Sequence, residues 1–402
     1  MQTRIIYNFV TIEVKELKAA GIIAEFDPFH NGHKYLLEQA RERGATHIAV
    51  IMSGSAVQRG TPAFYDKYFR AETAVKNGAD LVIEMPAPYS CSNAEVFART
   101  GITALASLGE GLIETLYFGS ETDDTALLIK AAEASAALKD SETVRGLLKE
   151  GLSYPAAVCQ ACRLEYGNDL SSALENPNST LAVEYCKAIS DIAPKITPCA
   201  ILRKESGHDS TDISEGFASG TKLREMISRG QDVTGLVPYT GYDFCNVKKL
   251  DSVYLYKLAT AERDELLELP DGDASISDRF FNAAKESFAD SEVFLAACKS
   301  KNFTAAKLRR LALQLVLGIK KEDILPLPYL RILAFNKRGT ELLKAADPSL
   351  PIGTSLAELE RSSDCAARIV SLEKRASVLR SLGTSSGRTE NEYTRQIRIT
   401  DF

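Results

Sequence analysis

Apolar residues fall in short unbroken runs early in the chain and in helical stripes later. Residues 20–26, 46–52, 79–85 and 112–119 form four such runs. The first three stop at turn signals, Asp27-Pro28, Ser53-Gly54-Ser55 and Pro86. Short continuous apolar runs with such stops are the pattern of strands buried on both faces. Between them, residues 34–43 and 66–77 carry helical periodicity and end at Gly44 and Gly78, where glycine closes a helix readily. Strands alternating with helices at this spacing predict βαβ units and a parallel sheet, an α/β fold.

From about residue 122 the pattern turns helical, with one strand-like return at 198–203 and a helix at 222–228 before Gly230. Beyond roughly residue 235 it is mostly helical, with helices expected at 252–269, 278–288, 291–299 and 304–317. Residues 381–391, SLGTSSGRTEN, read as a loop or a fraying tail. The expected organisation is an extension at 1–16, a catalytic α/β domain at 17–235 and a mainly helical region at 236–402.

Composition adds limits. With 45% apolar and 25% charged residues in 402, a packed core is expected. No apolar run approaches the roughly 20 residues of a membrane helix, and the N-terminus lacks a secretory signal, so no membrane partner and a cytoplasmic location are expected. The eight cysteines are too sparse for a disulfide framework. Cys159 and Cys162 form a CxxC, but no second pair completes a zinc site, so no metal is assigned. The net charge of −6 is unevenly spread. Residues 301–402 hold 18 Lys and Arg against 11 Asp and Glu, a balance of +7 that leaves −13 on the first 300. A basic C-terminal region is a weak pointer to an anionic partner.

The sharpest chemical signal is Phe29-His30-Asn31-Gly32-His33, between the first strand and the first helix. Breaking a nucleoside triphosphate at its α-phosphate needs donors where charge grows on phosphate oxygens, and two imidazoles supply them. A helix N-terminus behind them adds N–H groups and partial positive charge. Two of the four histidines sit at this junction. His47 opens a buried strand and reads as a core residue. Ser219-Gly220-Thr221-Lys222-Leu223-Arg224 is a second loop-to-helix junction whose hydroxyls and arginine suit the outer phosphates, although alone it is an ordinary cap.

Together these elements resemble the nucleotidyltransferase superfamily, whose Rossmann-like fold is shared with class I aminoacyl-tRNA synthetases. Longer stretches narrow the likeness. GIIAEFDPFHNGHKYLLEQAR, MSGSAVQRGTPAFYDKYFRAETAVKNGADLVIEMP, FGSE, NPNSTLAVEYCKAI, LRKESGHD, KLRRLALQLVLGI and PYLRILAFNKRG are similar to the bacterial tRNA(Met) cytidine acetate ligase family. The resemblance implies that acetate attacks the α-phosphate of ATP, forming acetyl-adenylate. The acetyl group then passes to N4 of the wobble cytidine of elongator tRNA(Met). ATP is thus a substrate, with Mg²⁺ on its phosphates. A small-molecule adenylyl- or cytidylyltransferase remains the alternative.

By the same resemblance, ATP contacts map onto Ile23-Ala24-Glu25-Phe26-Asp27-Pro28-Phe29-His30-Asn31-Gly32-His33-Lys34-Tyr35-Leu36, Gly119, Asn178 and Arg203, with Ser219 and Thr221 added from the second junction. His30, His33 and Arg203 are the catalytic candidates. Gln58, Arg59, Lys67 and Arg70 are candidates for acetate, phosphate or tRNA. Lys307, Arg309, Arg310, Arg331, Lys337 and Arg338 are candidate tRNA contacts. His208 and Asp209 are a further family-like pair, structural or catalytic. The chain departs from the family at Asp27, where Asn is usual, at Ser55 and Ala56, and in SGTKLR. Residues 1–16 have no counterpart there, and Leu17 stands where the family's Met is usual, so translation from residue 17 is expected.

Overall fold

The computed structural model describes residues 17–204, 216–389 and 391–400. Its strands are β1 Ala19–Ala24, β2 His47–Ser53, β3 Ala56–Val57, β4 Thr61–Pro62, β5 Leu81–Met85, β6 Ile113–Ser120, β7 Thr197–Leu202, β8 Leu330–Phe335, β9 Ile352–Gly353 and β10 Arg398–Ile399. The first apolar runs became the middle of one sheet, ordered β10-β8-β5-β2-β1-β6-β7, with β9 also paired to β8. β1 runs parallel to both β2 and β6, with Ala19 opposite His47 on one side and Ile113 on the other. The chain therefore winds outward from β1 in both directions. Such a reversal opens a crevice at the carboxyl end of the central strand, where open α/β sheets bind ligands.

Both faces are covered, which is why β2 and β5 are buried throughout. Helices Asn31–Glu42 and Lys67–Lys76 pack Leu37, Ala40 and Tyr68 against Ile22, Ile48 and Val50. Helices Ala94–Ala106 and Pro177–Ile192 cover the other face, with Phe97, Ile102 and Val183 in one core with Ile23 and Ile51.

The C-terminal region is mostly helical, as expected, and adds strands to the sheet: β8 pairs antiparallel with β5, and β10 lies beside β8. The expected boundary at residue 235 therefore does not part the sheet from the C-terminal region. The helix expected at 252–269 is two, Asp251–Ala259 and Arg263–Glu268. Beyond the loop expected at 381–391 the chain is anchored to the sheet: Thr400 donates its N–H to Phe335 O at 3.1 Å, and Arg395 pairs with Asp66 at 2.8 Å.

A buried charge cluster joins the two regions. Lys67 Nζ lies 2.5 Å from Glu84, 2.8 Å from Glu373 and 2.9 Å from Glu392. Arg331 meets Glu392 at 2.9 Å and Glu84 at 3.3 Å, and donates to the Tyr68 hydroxyl at 2.6 Å. None of these charged side chains is more than 2% exposed. Lys67 and Arg331 are therefore corrected from ligand and tRNA candidates to interior charges that bind this chain's own carboxylates. Burial alone would lower the Lys67 pKa, but the three carboxylates outweigh it and raise it. With three carboxylates against two cations, burial pushes Glu84 up to about 7.

Removing one partner of a buried ion network costs about 3–5 kcal/mol. Lys67→Met is expected to lose that much in urea unfolding at pH 7. The stranded carboxylates gain pKa values above their unfolded ones, so the deficit shrinks as pH falls to 5. A deficit independent of pH would contradict this account of the cluster.

Candidate active site

The site forms where β1 ends. Phe26 takes a positive φ of 50°, rare for a bulky residue and costing about 1–3 kcal/mol. Its ring is fully buried and meets Phe29 and His33 edge-on, each with centroids 4.9 Å apart. This packing turns the chain sharply into helix Asn31–Glu42.

His30 caps that helix. Its Nδ1 accepts the Gly32 N–H at 3.1 Å, and His33 Nδ1 accepts the His30 N–H at 3.3 Å. The rings stack with centroids 3.8 Å apart. Burial, then Arg203 and Arg224, lowers His30 to about 3. Burial, then His30, Arg203 and Arg59, holds His33 well below its usual value. Both imidazoles are thus neutral at pH 7. A neutral ring whose Nδ1 accepts carries its proton on Nε2, so each presents an Nε2–H donor. The expectation of open N–H groups at this helix start is corrected. Gly32 N–H is taken by His30 Nδ1, those of His33 and Lys34 by His30 O, and that of Asn31 by Leu236 O. The dipole remains, but these first-turn N–H groups are already engaged.

The second junction closes on the first. Arg224 donates to the Asp27 carbonyl, and to Thr221 Oγ1 at 3.0 Å. Ser219 caps helix Gly220–Ser228 through the Lys222 N–H at 3.2 Å. A Cβ on Gly220 would lie 3.4 Å from Arg224 Nη1 and 4.0 Å from His30 Nε2, which places this helix start against the imidazole.

On the third side stand β6 and helix Pro177–Ile192. Arg203 Nη1 donates to Asn178 Oδ1 at 3.4 Å, and its stem lies over Gly119, where a Cβ would come 3.3 Å from Arg203 Cγ. Glu121, absent from the candidates that the sequence offers, accepts from Asn178 Nδ2 at 2.7 Å. Its only signal was its place in FGSE.

Asp27 has a structural answer to its negative charge. Its Oδ1 accepts the Phe64 N–H at 2.6 Å, and Oδ2 lies 3.5 Å from Arg59. Arg59 also meets Glu25 at 2.7 Å, while Glu25 accepts the Gln58 N–H at 2.6 Å. Arg70 is a second correction. Fully buried, it donates to the carbonyls of Glu25 at 2.5 Å, Ser53 at 3.0 Å, Tyr65 at 3.1 Å and Gly54. It ties the ends of β1 and β2 instead of meeting ligand.

Of the remaining basic candidates, Arg310 is also corrected, because Asp271 takes it in a fork at 2.7 and 2.9 Å and its side chain is only 12% exposed. Lys307 pairs with Asp273 and Arg309 with Glu292, both partly exposed, and Lys337 and Arg338 are exposed. Helix Ala305–Leu317 reaches the site's edge, since a Cβ on Gly60 would lie 2.8 Å from Arg309 Cβ. His47 packs as expected, between Thr46 at 2.9 Å and Glu341 at 3.2 Å. Cys162 is buried and both CxxC cysteines are free. His208 and Asp209 lie outside the described residues. Among the described residues no three His, Cys, Asp or Glu cluster as metal ligands, and no helix is long and apolar enough to cross a membrane.

The depressed histidines set a pH dependence. Unfolded imidazole gains a proton below its ordinary 6.5, while folded His30 resists to about 3. Stability is then lost as pH falls through that window, by about 1.4 kcal/mol per pH unit for each such group. His30→Gln is expected to make the loss between pH 6 and 4 shallower by that amount in urea titrations. An unchanged slope would show that His30 titrates normally.

Comparison with known proteins shows the family. The family model described as HIGH Nucleotidyl Transferase matches residues 17–395. The tRNA(Met) cytidine acetate ligase of Clostridium kluyveri is 32% identical over 373 residues, covering 85% of this chain and 90% of that protein. That of Caldicellulosiruptor saccharolyticus is 33% identical over 387 residues, covering 91% and 94%. The crystal structure of Thermotoga maritima TmcAL bound with alpha-thio ATP superposes with a TM-score of 0.84 at 26% identity, over 96% of this chain and all of that one.

Proposed function

The chain belongs to the HIGH nucleotidyltransferase family, and from that premise we propose that it is an ATP-dependent ligase that forms acetyl-adenylate and acetylates N4 of the wobble cytidine of elongator tRNA(Met). The observation that carries this reading is the pair of stacked, neutral imidazoles, whose Nε2–H donors stand among Arg203, Arg224 and Arg59. Neutral donors stabilise growing phosphate charge without acting as nucleophiles. An acetate oxygen attacks the α-phosphorus and pyrophosphate leaves. Arg203 and Arg224 offset charge on the phosphates, and Asn178 meets the nucleoside. The cytidine amine then attacks the acetyl carbon, and AMP leaves with the acetate oxygen.

Arg59, held at the mouth by Glu25 and Asp27, is the proposed acetate contact, beside Gln58. Mg²⁺ would enter with the ATP phosphates; Glu25 is paired with Arg59 at 2.7 Å, while Asp27 Oδ2 is buried with Arg59 3.5 Å away. Lys307, Arg309, Lys337 and Arg338 remain the proposed tRNA contacts, Arg309 being the one beside the Arg59 turn. The names of the relatives and their ATP-analogue complex support this reading over a small-molecule transferase. The place of work is the cytoplasm, where tRNA is modified.

The test is mass spectrometry of nucleosides from unmodified elongator tRNA(Met) incubated with the protein, ATP-Mg²⁺ and labelled acetate, beside His33→Ala. Labelled N4-acetylcytidine is expected with the wild type alone. Pyrophosphate release with some other small acceptor and no label in RNA would overturn the assignment.

A further inference from the structure

Helix Pro177–Ile192 begins with a role its own cap residue does not fill. Asn176 stands at the N-cap without a side-chain hydrogen bond to the first turn. Glu121, one residue beyond β6, fills it from the neighbouring strand end. One carboxylate oxygen accepts the Ser179 N–H at 2.7 Å and the Ser179 hydroxyl at 2.6 Å. The other accepts Asn178 Nδ2 at 2.7 Å. A carboxylate here satisfies a free helical N–H and meets the positive end of the dipole. Burial would raise the Glu121 carboxyl, but the hydrogen bonds from Ser179 and Asn178 outweigh it and hold it below the usual range.

The contact does more than cap. A carboxylate only accepts and a guanidinium only donates. Asn178 must therefore turn Nδ2 toward Glu121 and Oδ1 toward Arg203, whose Nη1 lies 3.4 Å away. An amide with one such neighbour could sit either way round through solvent, whereas between these two it has one orientation. Arg203, resting on Gly119, is in turn a cause of the depressed pKa values of both imidazoles. Hydrogen bonds thus run from Glu121 through Asn178 to Arg203, whose charge is felt at both imidazoles.

We propose that Glu121 is a positioning residue for the nucleotide, fixing the Asn178 amide and through it Arg203, so that ATP meets one arrangement of donors and acceptors. This rests on the reading of Asn178 and Arg203 as ATP contacts. The side-chain hydrogen bonds of Glu121 go to Asn178 and Ser179 and not to the imidazoles, so its effect passes through Asn178.

Because the same carboxylate caps a helix, lost thermal stability alone does not separate a structural from a positioning role. ATP affinity does. Isothermal titration of ATP into the full chain would compare wild type, Glu121→Gln, Asn178→Ala and the double variant, with the melting temperature of each. Glu121→Gln is expected to weaken ATP at least tenfold, and the double variant is expected to bind no worse than the weaker single one, since both remove one unit. ATP affinity unchanged in Glu121→Gln, whatever its melting temperature, would overturn the proposal, as would losses that multiply in the double variant. Where Glu121→Gln fails to fold, Glu121→Asp, which keeps the charge but withdraws it by one methylene, is read the same way. A wild-type chain that binds no ATP would overturn the proposed function itself.

Discussion

Two imidazoles, His30 buried and His33 half-buried, lie ring on ring among arginines where a second proton is strongly disfavoured, and the working of the site depends on that constraint. Their Nδ1 atoms are committed to backbone N–H groups, so the remaining proton of each is fixed on Nε2. The arginines that add to burial in keeping them neutral are the same groups suited to offset phosphate charge. One electrostatic arrangement therefore sets both the donor identity of the histidines and the affinity of the crevice for a polyanion. An exposed His-x-Gly-His would titrate near neutrality and lose this definition.

Holding that arrangement takes more than the loop. Arg70 draws the carbonyls of Glu25, Ser53 and Gly54 to one buried guanidinium, which fixes how β1 and β2 end relative to each other. Just beyond, Glu373 accepts the N–H groups of Ser55 and Ala87, both at 2.8 Å, and a Cβ on Gly54 would run into its carboxylate at 2.7 Å. Since Glu373 lies on helix Asp364–Leu382, the C-terminal region shapes the loop that carries Gln58 and Arg59. The chain beyond residue 235 is thus built into the catalytic sheet as well as lying beside it.

The middle of the fold was legible in the sequence because strands buried on both faces leave continuous apolar runs, and β1, β2, β5, β6 and β7 fell within a residue or two of their expected places. β8 was not, because LRILAF is short and sits among helices, where an apolar run has no periodicity to separate strand from helix. The His-x-Gly-His loop announced itself through rare residues at a strand-to-helix junction. The fates of Lys67, Arg70, Arg310 and Arg331 could not be read the same way. Sequence shows a charge but not which distant groups fold over it, and Arg331 needed Glu84, Glu392 and Tyr68. Glu121 escaped for the converse reason, because a carboxylate that works through an amide has no spacing rule to betray it.

The central claim is that acetate attacks the α-phosphorus of ATP between the neutral imidazoles, and the path of an oxygen atom tests it most directly. With acetate labelled by ¹⁸O in both positions, attack at the α-phosphate and then acetyl transfer leave one labelled oxygen on AMP and none on pyrophosphate. Mass spectrometry of the products after tRNA acetylation is predicted to find that label on AMP. Label on orthophosphate or pyrophosphate would place the attack at another phosphorus and contradict the account.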